Sequence, residues 1–179
     1  PLCLPPGASV GPHYRDMSVT AEGVVGARGG AFEDRPWTAH MSARRVRRMV
    51  GFGTWRRYKR IAVVRNPYDR LVSMFWWRLN DAARAELGAA PFPVVQTAFA
   101  AWLGNAKLSK NISKLCLGPR YCLTHVLYYE RLVEEVAALF TCLNAKAHPL
   151  PRYKSGVRLR SEPFQAYYAE PLKRLVESR

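Results

Sequence analysis

A short apolar run cut off by a proline constrains this chain more than any other feature. Ile61-Ala62-Val63-Val64 is of the β-branched kind that suits a buried parallel strand. The run stops at Arg65-Asn66-Pro67. Pro67 cannot donate to a sheet ladder but sits well at the first position of a helix. From there Leu71, Met74, Phe75 and Arg78 recur at helical spacing. The expected unit is strand, tight turn, helix, with Arg65 at the strand's C-terminal end and Ser73 in the second helical turn. In open α/β sheets that edge is where ligands bind. An arginine and a hydroxyl beside a helix N-terminus can make an anion site. The competing reading is structural: a helix cap and an ion pair between Arg65 and Asp69.

A second unit of the same kind lies downstream. His125-Val126-Leu127-Tyr128-Tyr129 reads as a buried strand. After Glu130, the residues Leu132, Val136, Leu139, Phe140 and Leu143 form a helical stripe. Two strand–helix units joined by helical segments predict an α/β fold with a parallel sheet. A helix is expected over Ser42–Val50, capped by Ser42 and ended by Gly51 and Gly53, and another over Phe92–Leu103. Trp55 and Tyr58 are expected in the core, and Trp76 and Trp77 either in the core or stacked on a base or sugar. Residues 81–91 read as a helix end and loop, and 104–120 as a polar, basic loop. The Gly- and Pro-rich residues 1–36 read as a loop or linker and contain no Walker-type phosphate loop. The tail from Pro163 reads as helical, with Pro171 placed to start a last helix.

Charge narrows the partners. The 179 residues hold 28 Lys and Arg against 13 Asp and Glu, a net charge of +15, which favours an anionic partner. The helix 42–50 carries Arg44, Arg45, Arg47 and Arg48 around a narrow apolar face, the pattern of a solvated basic surface. The four cysteines have no zinc-ligand spacing, so no metal is expected. Cys116 and Cys122 bracket a Gly-Pro turn and are compatible with a disulfide or with free thiols. Asn111-Ile112-Ser113 fits the N-glycosylation pattern. No run approaches the roughly 18 apolar residues of a membrane span.

Three blocks in order carry a family resemblance. Val64-Arg65-Asn66-Pro67-Tyr68-Asp69-Arg70-Leu71-Val72-Ser73 is similar to the 3′-phosphate-binding motif of the carbohydrate sulfotransferases that use 3′-phosphoadenosine 5′-phosphosulfate. His40, followed by Ser42-Ala43 and a helix, resembles the family's upstream histidine. Leu127-Tyr128-Tyr129-Glu130-Arg131-Leu132 resembles its second strand. Lys154-Ser155-Gly156 and Tyr167-Tyr168 extend the likeness towards the C-terminus, so it spans roughly residues 36–179.

The resemblance implies a P-loop-NTPase-like parallel sheet flanked by helices, incomplete at the N-terminus. It implies a linker-like segment at 1–36 and a partial sulfotransferase domain at 37–179. It implies sulfuryl transfer from 3′-phosphoadenosine 5′-phosphosulfate to a carbohydrate hydroxyl, without a metal. Arg65 and Ser73 would bind the donor's 3′-phosphate and His40 would be the catalytic base. Lys154 and Ser155 would touch the nucleotide or lie in an exposed loop. The partner would be a glycan acceptor, neutral or acidic, and not nucleic acid. The compartment would be the Golgi lumen, with any membrane anchor outside this chain. Nothing in residues 1–36 matches the family's Pro-Lys-Thr/Ser-Gly-Gly-Thr-Ser loop for the 5′-phosphosulfate, which reads as a fragment starting downstream of it. Two alternatives follow: a non-catalytic binder of sulfated glycan or nucleic acid, and an inactive remnant whose incomplete sheet exposes edges and apolar surface.

Overall fold

The computed structural model describes residues 41–108, 112–146, 149–150 and 156–178, together with the backbone of 18–20 and 23–25. His40, Lys154 and Ser155 therefore lie outside the described residues, as does Asn111. In chain order, Ser18–Thr20 (β1) pairs antiparallel with Gly23–Val25 (β2), within a segment expected to be all loop. Ala43–Val50 (α1) and Phe52–Arg57 (α2) follow. Next come Ile61–Val64 (β3), Pro67–Arg78 (α3), Asp81–Ala89 (α4) and Phe92–Asn105 (α5). Ile112–Leu115 (α6) precedes a hairpin of Cys116–Leu117 (β4) and Arg120–Tyr121 (β5). His125–Tyr128 (β6), Leu132–Cys142 (α7) and Glu170–Glu177 (α8) complete the order. Single 3₁₀ turns occupy Tyr129–Arg131 and Phe164–Tyr167. Among the described residues no helix is long and apolar enough to cross a membrane.

The chain divides into two compact units. One comprises residues 1–60 and 111–123. There the Ser42 hydroxyl accepts the Arg45 N–H at 3.3 Å and caps α1 as expected. Gly51 ends α1 at φ 78°, a conformation an L side chain rarely adopts. Gly53 was expected to help end α1 and instead lies inside α2. Helix α1 packs against α2, α6 and β4. The Arg60 guanidinium ties the unit together, donating to the carbonyls of Trp55, Tyr58 and Cys122. Tyr58 is 57% exposed, contrary to the expected core role, and is held by its backbone, with its N–H donating to the Thr54 carbonyl and its own carbonyl accepting from Arg60. Cys116 and Cys122 are free thiols. The Cys122 thiol donates to the Leu115 carbonyl, and burial pushes its pKa up.

The other unit comprises residues 61–110 and 124–179. Its α/β character rests on β3 and β6, which pair in parallel with Ile61 opposite His125 and Val64 opposite Tyr128. The two strands were expected to be buried on both faces. They are not: Ile61, Val63, Val126 and Tyr128 are 41, 50, 39 and 50% exposed. The reason is that the sheet has only these two strands among the described residues, so each has an open edge. Residues 81–89 are a full helix, capped by Asn80, whose side chain accepts the Ala83 N–H at 2.8 Å. The loop expected at 104–120 gives way to α6 and the β4–β5 hairpin.

The core of this unit sits between α3, α5 and the 3₁₀ turn at Phe164–Tyr167. Val72, Phe75, Trp76, Val95, Phe99, Leu103 and Tyr167 have almost no exposed surface. The rings of Phe75, Trp76, Phe99, Tyr167 and Tyr168 meet edge to face with centroids 5.1–5.7 Å apart. Trp76 Nε1–H donates to the Tyr167 hydroxyl at 3.2 Å, so the one polar end of that buried indole is satisfied. This aromatic block fixes α3, and with it everything at the N-terminal end of α3.

Candidate functional site

Strands β3 and β6 end in register, so the residues that follow them meet beyond the sheet's C-terminal edge. The Arg65 guanidinium lies 4.3 Å from the centroid of the Tyr129 ring. The Asn66 N–H donates to Glu130 Oε1 at 2.6 Å. That bond, followed by the positive charge of Arg65, helps hold the Glu130 carboxyl below its ordinary range. Each post-strand residue is thus oriented by its counterpart on the other strand.

The turn into α3 follows from residue type. Asn66 Oδ1 accepts the Tyr68 N–H at 3.0 Å and the Asp69 N–H at 3.5 Å, and Pro67 occupies the first turn. Asp69 carries negative charge at the positive end of the helix. Arg65 Nε donates to Asp69 Oδ2 at 2.6 Å, and the other carboxylate oxygen faces Arg158 Nη1 at 3.5 Å. Side-chain exposures of 24, 17 and 25% for Arg65, Asp69 and Arg158 place the group in a half-sheltered recess. Two guanidinium groups therefore share the Asp69 carboxylate, and Arg65 also acts on the Glu130 carboxylate.

Arg158 has an unusual environment. Its Nε is buried and has no hydrogen-bond partner among the described residues, while its Nη2 donates to the Glu162 carbonyl and its guanidinium lies 5.2 Å from the Tyr167 ring. A buried donor without an acceptor is costly to keep. The segment is held by Arg160, which forks onto both Glu162 oxygens and donates to the carbonyls of Gly88 and Ala90. That pairing draws the Glu162 pKa down to about 2. Tyr168 supports the first turn of α3, its hydroxyl donating to the Tyr68 carbonyl at 2.9 Å.

Of the expected site residues, Arg65 is at the strand end and Ser73 is half-buried on α3. Asp69 and Ser73 are four residues apart and share a helix face. The group that Arg65 touches is Asp69, so the ion-pair network weighed from sequence is present. Arg158 was missed, although it lies in the basic segment after α7. Of the histidines, His125 is at the opposite end of β6, bonded to Thr124.

No family model, no curated protein and no solved structure matches this chain. The functional reading therefore rests on sequence motifs and on the geometry above.

Proposed function

We propose that this chain carries the 3′-phosphate half of the donor site of a carbohydrate sulfotransferase. The observation that carries the reading is that Arg65 and Asp69 of the Val64–Ser73 motif meet Arg158 at the C-terminal edge of the β3–β6 pair. A phosphate would offer oxygens to the Arg65 and Arg158 guanidinium groups and would compete with Asp69 for them. Ser73, one turn beyond Asp69, would add a hydroxyl donor. The finer fold reading, a P-loop-NTPase-like sheet with further strands beside β3 and β6, belongs to this proposal and accounts for the open strand edges.

When bound, 3′-phosphoadenosine 5′-phosphosulfate supplies a sulfuryl group that passes to an acceptor hydroxyl, leaving adenosine 3′,5′-bisphosphate. The protein's part in such a transfer is to position the reactants and to stabilise charge. In this chain Arg65, Arg158 and Ser73 would bind and orient the nucleotide by its 3′-phosphate. His40 is proposed to take the proton from the acceptor hydroxyl, the role its motif position implies. No counterpart of the family's phosphosulfate loop stands in residues 1–36, so the proposal for this chain centres on donor binding.

The experiment that tests it compares two nucleotides. Adenosine 3′,5′-bisphosphate should bind at least about tenfold more tightly than adenosine 5′-monophosphate, a difference of about 1.4 kcal/mol. Equal affinities would remove the role assigned to the 3′-phosphate.

A further inference from the structure

Arg158 and Asp69 are 89 residues apart in the chain, so their contact depends on how the segment 156–162 is seated. The seat is the C-terminal end of α4, and two contacts make it. The first is steric. A Cβ at Gly88 would come within 3.0 Å of Leu159 Cδ1 and 3.2 Å of Leu159 Cβ, so a larger residue there would push the segment away. The second is electrostatic. Carbonyls at a helix C-terminus have no partner within the helix, and α4 has no basic residue in its last turn. Arg160 supplies that charge from the segment, its Nη1 donating to the carbonyls of Gly88 at 3.2 Å and Ala90 at 2.6 Å.

From this seat a chain of hydrogen bonds runs to the anion site. Arg160 Nε donates to the two Glu162 carboxylate oxygens at 3.1 and 3.0 Å. The Glu162 carbonyl accepts from Arg158 Nη2. Arg158 Nη1 faces Asp69, the carboxylate that Arg65 also holds. The grip is uneven along this chain. Every nitrogen of the Arg160 guanidinium is bonded, whereas Arg158 stands 3.5 Å from Asp69 and its buried Nε has no partner among the described residues. Arg158 is therefore placed by Glu162 more firmly than by the carboxylate it faces. We propose that Arg160 is a positioning residue for the anion site. Through Glu162 it sets where the Arg158 guanidinium stands, so the turn between α4 and α5 tunes the site's affinity for phosphate. The inference rests on the 3′-phosphate reading of that site and adds to it a residue that touches no ligand.

The test titrates adenosine 3′,5′-bisphosphate and adenosine 5′-monophosphate into the full chain by calorimetry. Arg160→Gln should lose about fivefold in affinity for the bisphosphate and less than about twofold for the monophosphate. Arg174→Gln removes an equal charge from the exposed side of α8 and should lose less than about twofold for either. In an Arg158→Ala background Arg160→Gln should cause no further loss, because a residue that acts through another is silent once the other is gone. Gly88→Ala gives the steric version. Alanine favours the helix, so α4 is retained, yet the added methyl displaces Leu159, and affinity for the bisphosphate should fall about threefold. A second readout needs no nucleotide. Phenylglyoxal labels accessible guanidinium groups, and its rate at Arg158, followed by peptide mass spectrometry, should rise about threefold in Arg160→Gln and in Gly88→Ala. Unchanged labelling in both variants would overturn the proposal. So would additive losses from Arg160→Gln and Arg158→Ala, or equal losses in Arg160→Gln and Arg174→Gln. Equal binding of the two nucleotides by the parent would instead remove the 3′-phosphate reading, with the labelling rates still deciding whether Arg160 places Arg158.

Discussion

Arg65 and Asp69 are joined at 2.6 Å across the turn that links β3 to α3, and the same carboxylate faces Arg158 at 3.5 Å. Asp69 therefore occupies the position, relative to Arg65, that a bound anion would have to take. It is a structural member of the turn and, on the proposed function, a built-in competitor for phosphate.

Removing that charge separates the two roles. Asp69→Asn should lower stability by about 1.5–3 kcal/mol, the usual worth of hydrogen bonds to a charged group. On the proposed function it should also tighten adenosine 3′,5′-bisphosphate binding by about three- to tenfold, because the guanidinium groups no longer have an internal partner. Denaturant unfolding and calorimetry read the two effects. Weaker nucleotide binding by the folded variant would contradict the competition.

Acid should loosen the segment that presents Arg158. The Glu162 carboxyl is held near 2 by its bond to Arg160, well below its value in an unfolded chain. A depressed carboxyl contributes stability that is complete above its unfolded pKa and is lost as pH falls through the folded one. Stability should therefore decline between about pH 4.5 and 2, and Glu162→Gln should decline less over that window. Urea midpoints measured across it test this. Parallel curves for parent and variant would show that the pair does not contribute.

The aromatic core should dominate stability. Phe99 has no exposed surface and meets Phe75, Tyr167 and Tyr168 edge to face. Phe99→Ala should cost about 3–5 kcal/mol. A loss below about 1 kcal/mol would mean that α3 and α5 are not held together by this cluster.

The open strand pair should make the chain self-associate. Val63 is half exposed on a strand whose outer edge is unpaired among the described residues. Val63→Lys places a charge there, the device proteins use against edge pairing. It should raise the concentration at which light scattering first increases, with little change in thermal midpoint. An unchanged onset would show that another surface drives association.

The elements most legible in the sequence are those whose local signals agree. At β3 and α3, a β-branched run, an Asn cap and a proline at the first helical turn all indicate the same boundary. Helix α4 was obscured because Asp81–Ala89 has only Leu87 as a large apolar residue and so shows no stripe. The β4–β5 hairpin pairs two residues with two, too short for any periodicity to register. Strand burial was overestimated because apolar composition reports what a strand suits, not how many neighbours it has. Arg65 was identified from its place after a strand. Arg158 was not, because it meets Asp69 across a separation of 89 residues and no local pattern encodes that contact.

The central claim is that Arg65 and Ser73 hold a nucleotide's 3′-phosphate. Calorimetry with adenosine 3′,5′-bisphosphate on the parent, Arg65→Ala and Ser73→Ala tests it most directly. The account predicts measurable binding by the parent, a loss of about 10- to 100-fold for Arg65→Ala and about 3- to 30-fold for Ser73→Ala. Binding that is unchanged in both folded variants would contradict it.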